Sequence, residues 1–200
     1  MNEVAPFHAA APEAHVTLRN LAFRCTGCGA CCRTLRVAVT HHDVRRLSAA
    51  TGAAPAELVA WLAPDEVDMT GEPEAFVELG AGRRLMVLAQ LGGACALLGP
   101  DARCRAYAAR PRDCELFPFD PELDARGALV RLPLLPTTAC EADFEGAGDA
   151  GALALAHARR EHELAEYRAR VAAWNLNAAR RRRFRHRVGD AADFLTFLGG

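Results

Sequence analysis

Eight cysteines, at positions 25, 28, 31, 32, 95, 104, 114 and 140, constrain this 200-residue chain more than any other feature. The first four form the run Cys25-Thr26-Gly27-Cys28-Gly29-Ala30-Cys31-Cys32. A lone cysteine is usually a small buried hydrophobe, and Cys95 within Ala94-Cys95-Ala96-Leu97 has that plain reading open to it. The dense run does not, because so many neighbouring thiols bring reactivity and add little packing. Its choices are disulfides or metal, and the compartment decides between them.

The first seventeen residues carry Glu3, His8, Glu13 and His15 with prolines at 6 and 12, and lack a basic start followed by an apolar stretch. They read as no secretory signal. The longest uncharged run, Leu85 to Pro100, is broken by Gln90, Gly92 and Gly93 and is shorter than the ~20 apolar residues of a membrane span. A cytoplasmic protein without a membrane role is expected, and there clustered cysteines bind metal more often than they pair. The chain has no lysine, so all 24 basic residues are arginine. That excludes a lysine-ended phosphate loop, a Schiff base and a lysine general base. The one serine, Ser48, lacks the glycine elbow of a serine hydrolase. Isoleucine is missing too, and since both residues have AT-rich codons the bias reads as codon background. With a net charge of -1, nucleic acid is not an expected partner.

Within the run, each two-residue gap lets a tight loop aim two sulfurs at one centre. Gly27 and Gly29 supply positive φ and free amides that donate to thiolate or sulfide. Cys25, Cys28 and Cys31 have the gaps that begin a ferredoxin-type ligand set. Cys32 departs from it, being adjacent to Cys31, so the two serve different metals or one is a bystander. The later cysteines are separated by eight, nine and twenty-five intervening residues. Zinc fingers and ribbons would show a second close pair, and no trio matches the radical enzymes that use S-adenosylmethionine.

Hydrophobic patterning predicts an α+β fold, a small cysteine-rich, metal-centred domain of short strands and loops followed by a C-terminal helical segment. Residues 1–16 read as a flexible arm, 17–148 as the metal-binding domain and 149–200 as the helical segment. Strands are expected at Val16–Arg24 and Thr34–Val39. Thr40 with Asp43 reads as a capping box for a helix to about Thr51, stopped by Gly52. A helix Pro55–Ala63 follows, then a hairpin of Phe76–Leu79 and Arg83–Ala89 about Gly80-Ala81-Gly82. Ala94–Leu98 and Ala128–Leu135 are further strand candidates, and residues 101–120 are mostly loop with a turn at Tyr107. Leu164, Tyr167, Val171 and Trp174 mark the seam of a helix from about Ala152 to Arg182. Asp190 caps a closing one to Leu198. His41 and His42 read as exposed helix-start residues rather than ligands, and the arginine run 180–187 as a charged helix end.

Taken in order, Phe23-Arg24-Cys25-x-x-Cys28-Gly29-x-Cys31-Cys32-Arg33, Val39-Thr40 with Asp43, Cys95-x-Leu97-Leu98 with Asp101 and Cys104, and Tyr107-x-x-Arg110-Pro111-x-x-Cys114-x-x-Phe117-Pro118 resemble the bacterial cysteine-cluster family named for its CxxCxxCC motif, a zinc- or iron-chelating domain. The resemblance spans about residues 23–140. Cys140 is similar to the family's late cysteine, although the glycine-rich stretch that often follows it is displaced to Gly146 and Gly148. The resemblance implies a centre held by Cys25, Cys28, Cys31, Cys32, Cys95, Cys104, Cys114 and Cys140. Some relatives are iron–sulfur oxidoreductases by description, and a flagellin lysine methylase carries a similar cluster. Tyr107 and Arg110, lying between two of the cysteines, are expected to support the ligands; the plain alternative pairs Arg110 with Asp113.

The expected cofactor is an iron–sulfur cluster, the 4Fe-4S type ahead, or iron, because the ligands are cysteine-only and begin with ferredoxin-like gaps. Zinc is the alternative. A redox-active centre, acting on an unidentified substrate or protein partner, calls for a substrate-sized cavity beside it. A closed zinc site makes the chain a structural or interaction module, with the helical tail as its partner surface.

Overall fold

The computed structural model describes residues 20–67, 72–135 and 148–199. It is an α+β fold. A short helix α1 (Ala30–Thr34) leads to α2 (His41–Thr51), α3 (Pro55–Leu58) and the strand β1 (Val59–Leu62). The strands β2 (Val77–Leu79), β3 (Gly82–Leu88), β4 (Gln90–Leu91) and β5 (Ala94–Cys95) come next. Then follow α4 (Arg112–Leu116), β6 (Glu122–Leu123), β7 (Leu129–Arg131) and two last helices, α5 (Ala150–Arg183) and α6 (Ala191–Gly199).

Helix α2 starts and stops where its own residues say. The Thr40 hydroxyl accepts from the Asp43 amide at 3.3 Å while Asp43 accepts from the Thr40 amide at 2.8 Å, a reciprocal cap. Its end is set by Gly52, at a φ of 73°, a left-handed conformation that costs glycine nothing. The hairpin predicted about Gly80-Ala81-Gly82 is β2–β3, with Val77 opposite Arg84 and Leu79 opposite Gly82.

Strand β3 organises the core. It pairs with β1 from Val59↔Leu88 to Leu62↔Leu85 and with β2 beside its start, giving the order β1-β3-β2. Its alternate residues face two clusters. Met86 and Leu88 pack with Val39, Val44, Leu47 and the C-terminal helices, while Leu85 and Val87 pack with Ala75 and Phe76. Burial on both faces explains why Leu85-Met86-Val87-Leu88 reads as a continuous apolar run instead of an alternating one.

Three expected elements are corrected. The helix predicted over Pro55–Ala63 ends at Leu58, and Val59–Leu62 is a strand. Val59 and Trp61 suit a pleated surface, and pairing with β3 outweighs the helical signal of Pro55. Of the strand predicted over Val16–Arg24, residues 16–19 lie outside the described residues and residues 20–21 are helical. There Asn20 is buried with its side-chain amide on the Leu132 carbonyl at 2.7 Å, and Phe23 closes a turn onto the Asn20 carbonyl at 3.1 Å. In the stretch Thr34–Val39, Thr34 ends α1, and residues 37–39 meet β3 on the edge opposite β1, through Val39 N–Met86 O at 3.1 Å and Leu88 N–Val37 O at 2.9 Å.

The predicted seam of α5 is observed: Tyr167 and Val171 are buried in the same cluster as Val39 and Met86, and Trp174 packs against it. Asp149 caps the helix by accepting from Gly151 and Ala152. The edge of β2 is closed by side chains of α5. Trp174 Nε1 donates to the Glu78 carbonyl at 2.9 Å, and Asn175 accepts from the Glu78 amide at 2.7 Å and donates to the Phe76 carbonyl at 2.9 Å. An unpaired strand edge is thereby denied to other chains. Phe194 of α6, fully buried, meets Trp174 edge-on at 5.2 Å and Trp61 at 5.9 Å, locking α6 over this joint.

Candidate metal centre

The cysteine loop owes its shape to its glycines. Gly27 and Gly29 have φ of 74° and 69°, the positive values expected of them. A Cβ on Gly29 would stand 2.9 Å from the Ala102 carbonyl oxygen, so glycine is also what lets the loop lie against residues 98–104. Arg33 ties it further, donating to the Cys28 carbonyl at 3.0 Å. The second loop folds back through the Leu98↔Cys104 bridge, with Gly99 N–Arg103 O at 2.7 Å. Thiols from separate segments thus border one cavity, Cys31 and Cys32 on α1, Cys95 on β5 and Cys114 on α4, and the 98–104 loop sets Cys104 near Cys95.

Their electrostatics express that convergence. The Cys31 and Cys32 sulfurs stand 4.0 Å apart. A hydrogen bond from Cys32 holds the Cys31 thiol down to about 6, while the same contact, burial and the charges of Cys31, Cys95 and Cys114 push Cys32 up. Burial raises Cys114 as well, followed by the charges of Asp113, Cys95, Cys31 and Cys104. Cys95 is raised by burial and by Cys104 and Cys31. Thiolates gathered this way repel one another, and a bound cation reverses that balance. These thiols have the chemistry of a thiolate-held metal site, and among the described residues no three of their sulfurs lie within 4.8 Å of one another. Cys25 is exposed and Cys28 half-buried at the mouth of the loop, and Cys140 lies outside the described residues.

Beside the thiols is a cavity of about 360 Å³ whose lining includes Cys31, Cys32, Cys95 and Cys114. A network of charges braces its wall. Arg46 donates to both oxygens of Glu163 at 2.7 Å and pairs with Asp43; Arg112 reaches Glu163 at 3.1 Å and Glu115 at 2.7 Å. Asp43 also accepts from the Arg112 amide at 3.2 Å, so α2 and α5 both hold the first turn of α4, the helix that carries Cys114. Arg110 lies over the Tyr107 ring at 4.0 Å, and its alternative partner Asp113 is taken by Arg160 at 2.6 Å.

Burial alone would raise the Glu163 carboxyl, but hydrogen bonds from Arg46 and Arg112 outweigh it and hold the group below its ordinary range. A depressed carboxyl contributes stability above its unfolded pKa, about 4.3, that is lost as pH falls through the folded value. Glu163→Gln is thus expected to lower the melting temperature at pH 7 and to lose that deficit in acid. Melting curves across a pH series check it; a deficit that stays constant with pH contradicts it.

One prediction about candidate residues is overturned. His41, read as exposed, is 8% exposed, because its ring stacks against Tyr167 of α5 at 6.2 Å. Among the described residues, the three His, Cys, Asp or Glu side chains whose ligand atoms lie within 4.8 Å of one another are His41, His42 and Glu166. The His-His pair was visible in the sequence, but Glu166 lies 124 residues on and nothing local joined it to them.

The sequence profile of the CxxCxxCC family, "Putative zinc- or iron-chelating domain", matches residues 24–131. The chain belongs to this CxxCxxCC family. The match takes in seven of the eight cysteines, from Cys25 to Cys114, and ends before Cys140. No curated protein and no solved structure matches the chain. Among the described residues no helix is long and apolar enough to cross a membrane.

Proposed function

We propose that this CxxCxxCC protein holds an iron–sulfur cluster of the 4Fe-4S type through thiolates drawn from Cys25, Cys28, Cys31, Cys32, Cys95, Cys104, Cys114 and Cys140. In this reading it works in the cytoplasm as an oxidoreductase or modifying enzyme. When bound, the cluster supplies one-electron chemistry, and the chain's own residues bind and orient what reacts there.

The observation that carries this reading is the cavity of about 360 Å³ against four of the thiols. Closed structural zinc sites have no need of such a space, whereas small-molecule sites run to roughly 300–1,000 Å³. The lining supports a small, mainly apolar substrate, for it includes Val37, Met86 and Phe119. Tyr167 also lines it, a buried phenol whose hydroxyl has no partner among the described residues and whose pKa burial pushes up. That hydroxyl stays neutral and is free to hydrogen-bond a carbonyl or hydroxyl.

One observation favours the zinc alternative. Two thiolates on one tetrahedral zinc at about 2.3 Å stand roughly 3.8 Å apart, close to the 4.0 Å between Cys31 and Cys32. A visible spectrum of anaerobically purified protein, before and after dithionite, separates the two. The iron–sulfur reading expects a brown protein that bleaches on reduction, and a colourless protein unaffected by dithionite refutes it.

A further inference from the structure

His41 and His42 open α2, and Glu166 reaches them from the middle of α5. His42 Nε2 lies 2.5 Å from Glu166 Oε2, and the two imidazole rings are 4.0 Å apart between centroids. The His41 ring is buried, and among the described residues its Nδ1 has no hydrogen-bond partner. A buried nitrogen left unpaired is costly, and its persistence calls for a reason. Two imidazoles and a carboxylate that already converge within 4.8 Å are a donor set for a borderline metal ion.

We propose that His41, His42 and Glu166 bind a divalent transition-metal ion such as Zn²⁺ or Fe²⁺ at a site separate from the thiols. The proposal stands whatever the cysteines hold. Burial, with the positive charges of Arg170 and Arg45, keeps His41 down to about 4, so its ring is neutral at physiological pH and offers a lone pair. Three protein ligands leave a coordination position for water or a small anion, the arrangement of open rather than purely structural sites. Arg45 sets a condition. Its Nη2 lies 2.8 Å from His42 Nδ1, so that nitrogen accepts and Nε2 donates to Glu166. A metal at Nε2 takes the place of that proton, Nδ1 becomes the protonated nitrogen, and the exposed Arg45 side chain turns away.

The test uses the full chain, purified anaerobically with its native thiol-bound metal and dialysed against Co²⁺. One Co²⁺ per chain is expected, with the weak visible bands of nitrogen and oxygen ligation and no thiolate-to-cobalt absorption. Glu166→Gln and His42→Ala are each expected to weaken that binding by roughly 100-fold or more, the upper end of what loss of even an outer partner costs, without changing the thiol-bound metal. Glu166 is half exposed and its replacement by glutamine spares the core, so this variant decides the matter if His42→Ala fails to fold. Unchanged Co²⁺ binding in Glu166→Gln overturns the proposal. So does Co²⁺ that carries thiolate absorption in the wild type.

Discussion

Cys114→Ser is expected to strip the protein of its metal. Serine nearly matches cysteine in size, so the fold around α4 survives, but a hydroxyl does not replace a thiolate as a ligand. Cys114 lines the cavity wall, and burial and the neighbouring sulfurs raise its pKa, so its thiolate is stable chiefly when a cation is present. Apparent binding energies of thiolate metal sites run to about 10–16 kcal/mol, so one ligand in four is worth roughly 3 kcal/mol, or about 100-fold in affinity. Metal content after desalting, with circular dichroism to verify folding, checks this. A folded Cys114→Ser protein with full metal content would remove α4 from the site.

The largest expected effect on stability comes from Asp43→Ala. Asp43 is almost fully buried, closes the cap of α2, and faces both the Arg46 guanidinium and the Arg112 amide. Removing it takes away the cap, takes from Arg46 one of its two carboxylates (Glu163 remains), and leaves the Arg112 amide without its acceptor. A lost cap costs about 1 kcal/mol and lost hydrogen bonds to a charged group about 1.5–3 kcal/mol each, so a melting temperature roughly 10 °C lower follows at about 2–4 °C per kcal/mol for a chain of this size. The comparison is Glu57→Ala, which removes an exposed bond to the Ala54 amide and is expected to cost under about 1 kcal/mol. Equal losses in the two variants would mean that the charge network contributes nothing beyond a cap.

What was legible in the sequence is what local chemistry decides. The reciprocal Thr40–Asp43 cap, the left-handed Gly52, the Gly80–Gly82 turn and the Tyr167–Val171 seam each lie within a few residues, and each was found. The strand Val59–Leu62 was misread because a short apolar run is ambiguous until its partner, β3 some twenty residues later, is known. The buried His41 was misread for the same reason, since Tyr167 is what covers it. At the site, spacing picked out the cysteine loop and its glycines. The cavity has no local signature, because its lining comes from α1, α2, β3, α4 and α5 together. The charge network of Asp43, Arg46, Arg112 and Glu163 left no local trace, because its members come from three helices spread over 120 residues.

The proposal on which the rest depends is that these cysteines hold iron–sulfur. Iron, zinc and acid-labile sulfide, counted per chain on the anaerobically purified wild type, test it most directly. The account predicts iron and sulfide together, in near-equal amounts and with little zinc; a zinc-loaded protein without iron or sulfide would contradict it.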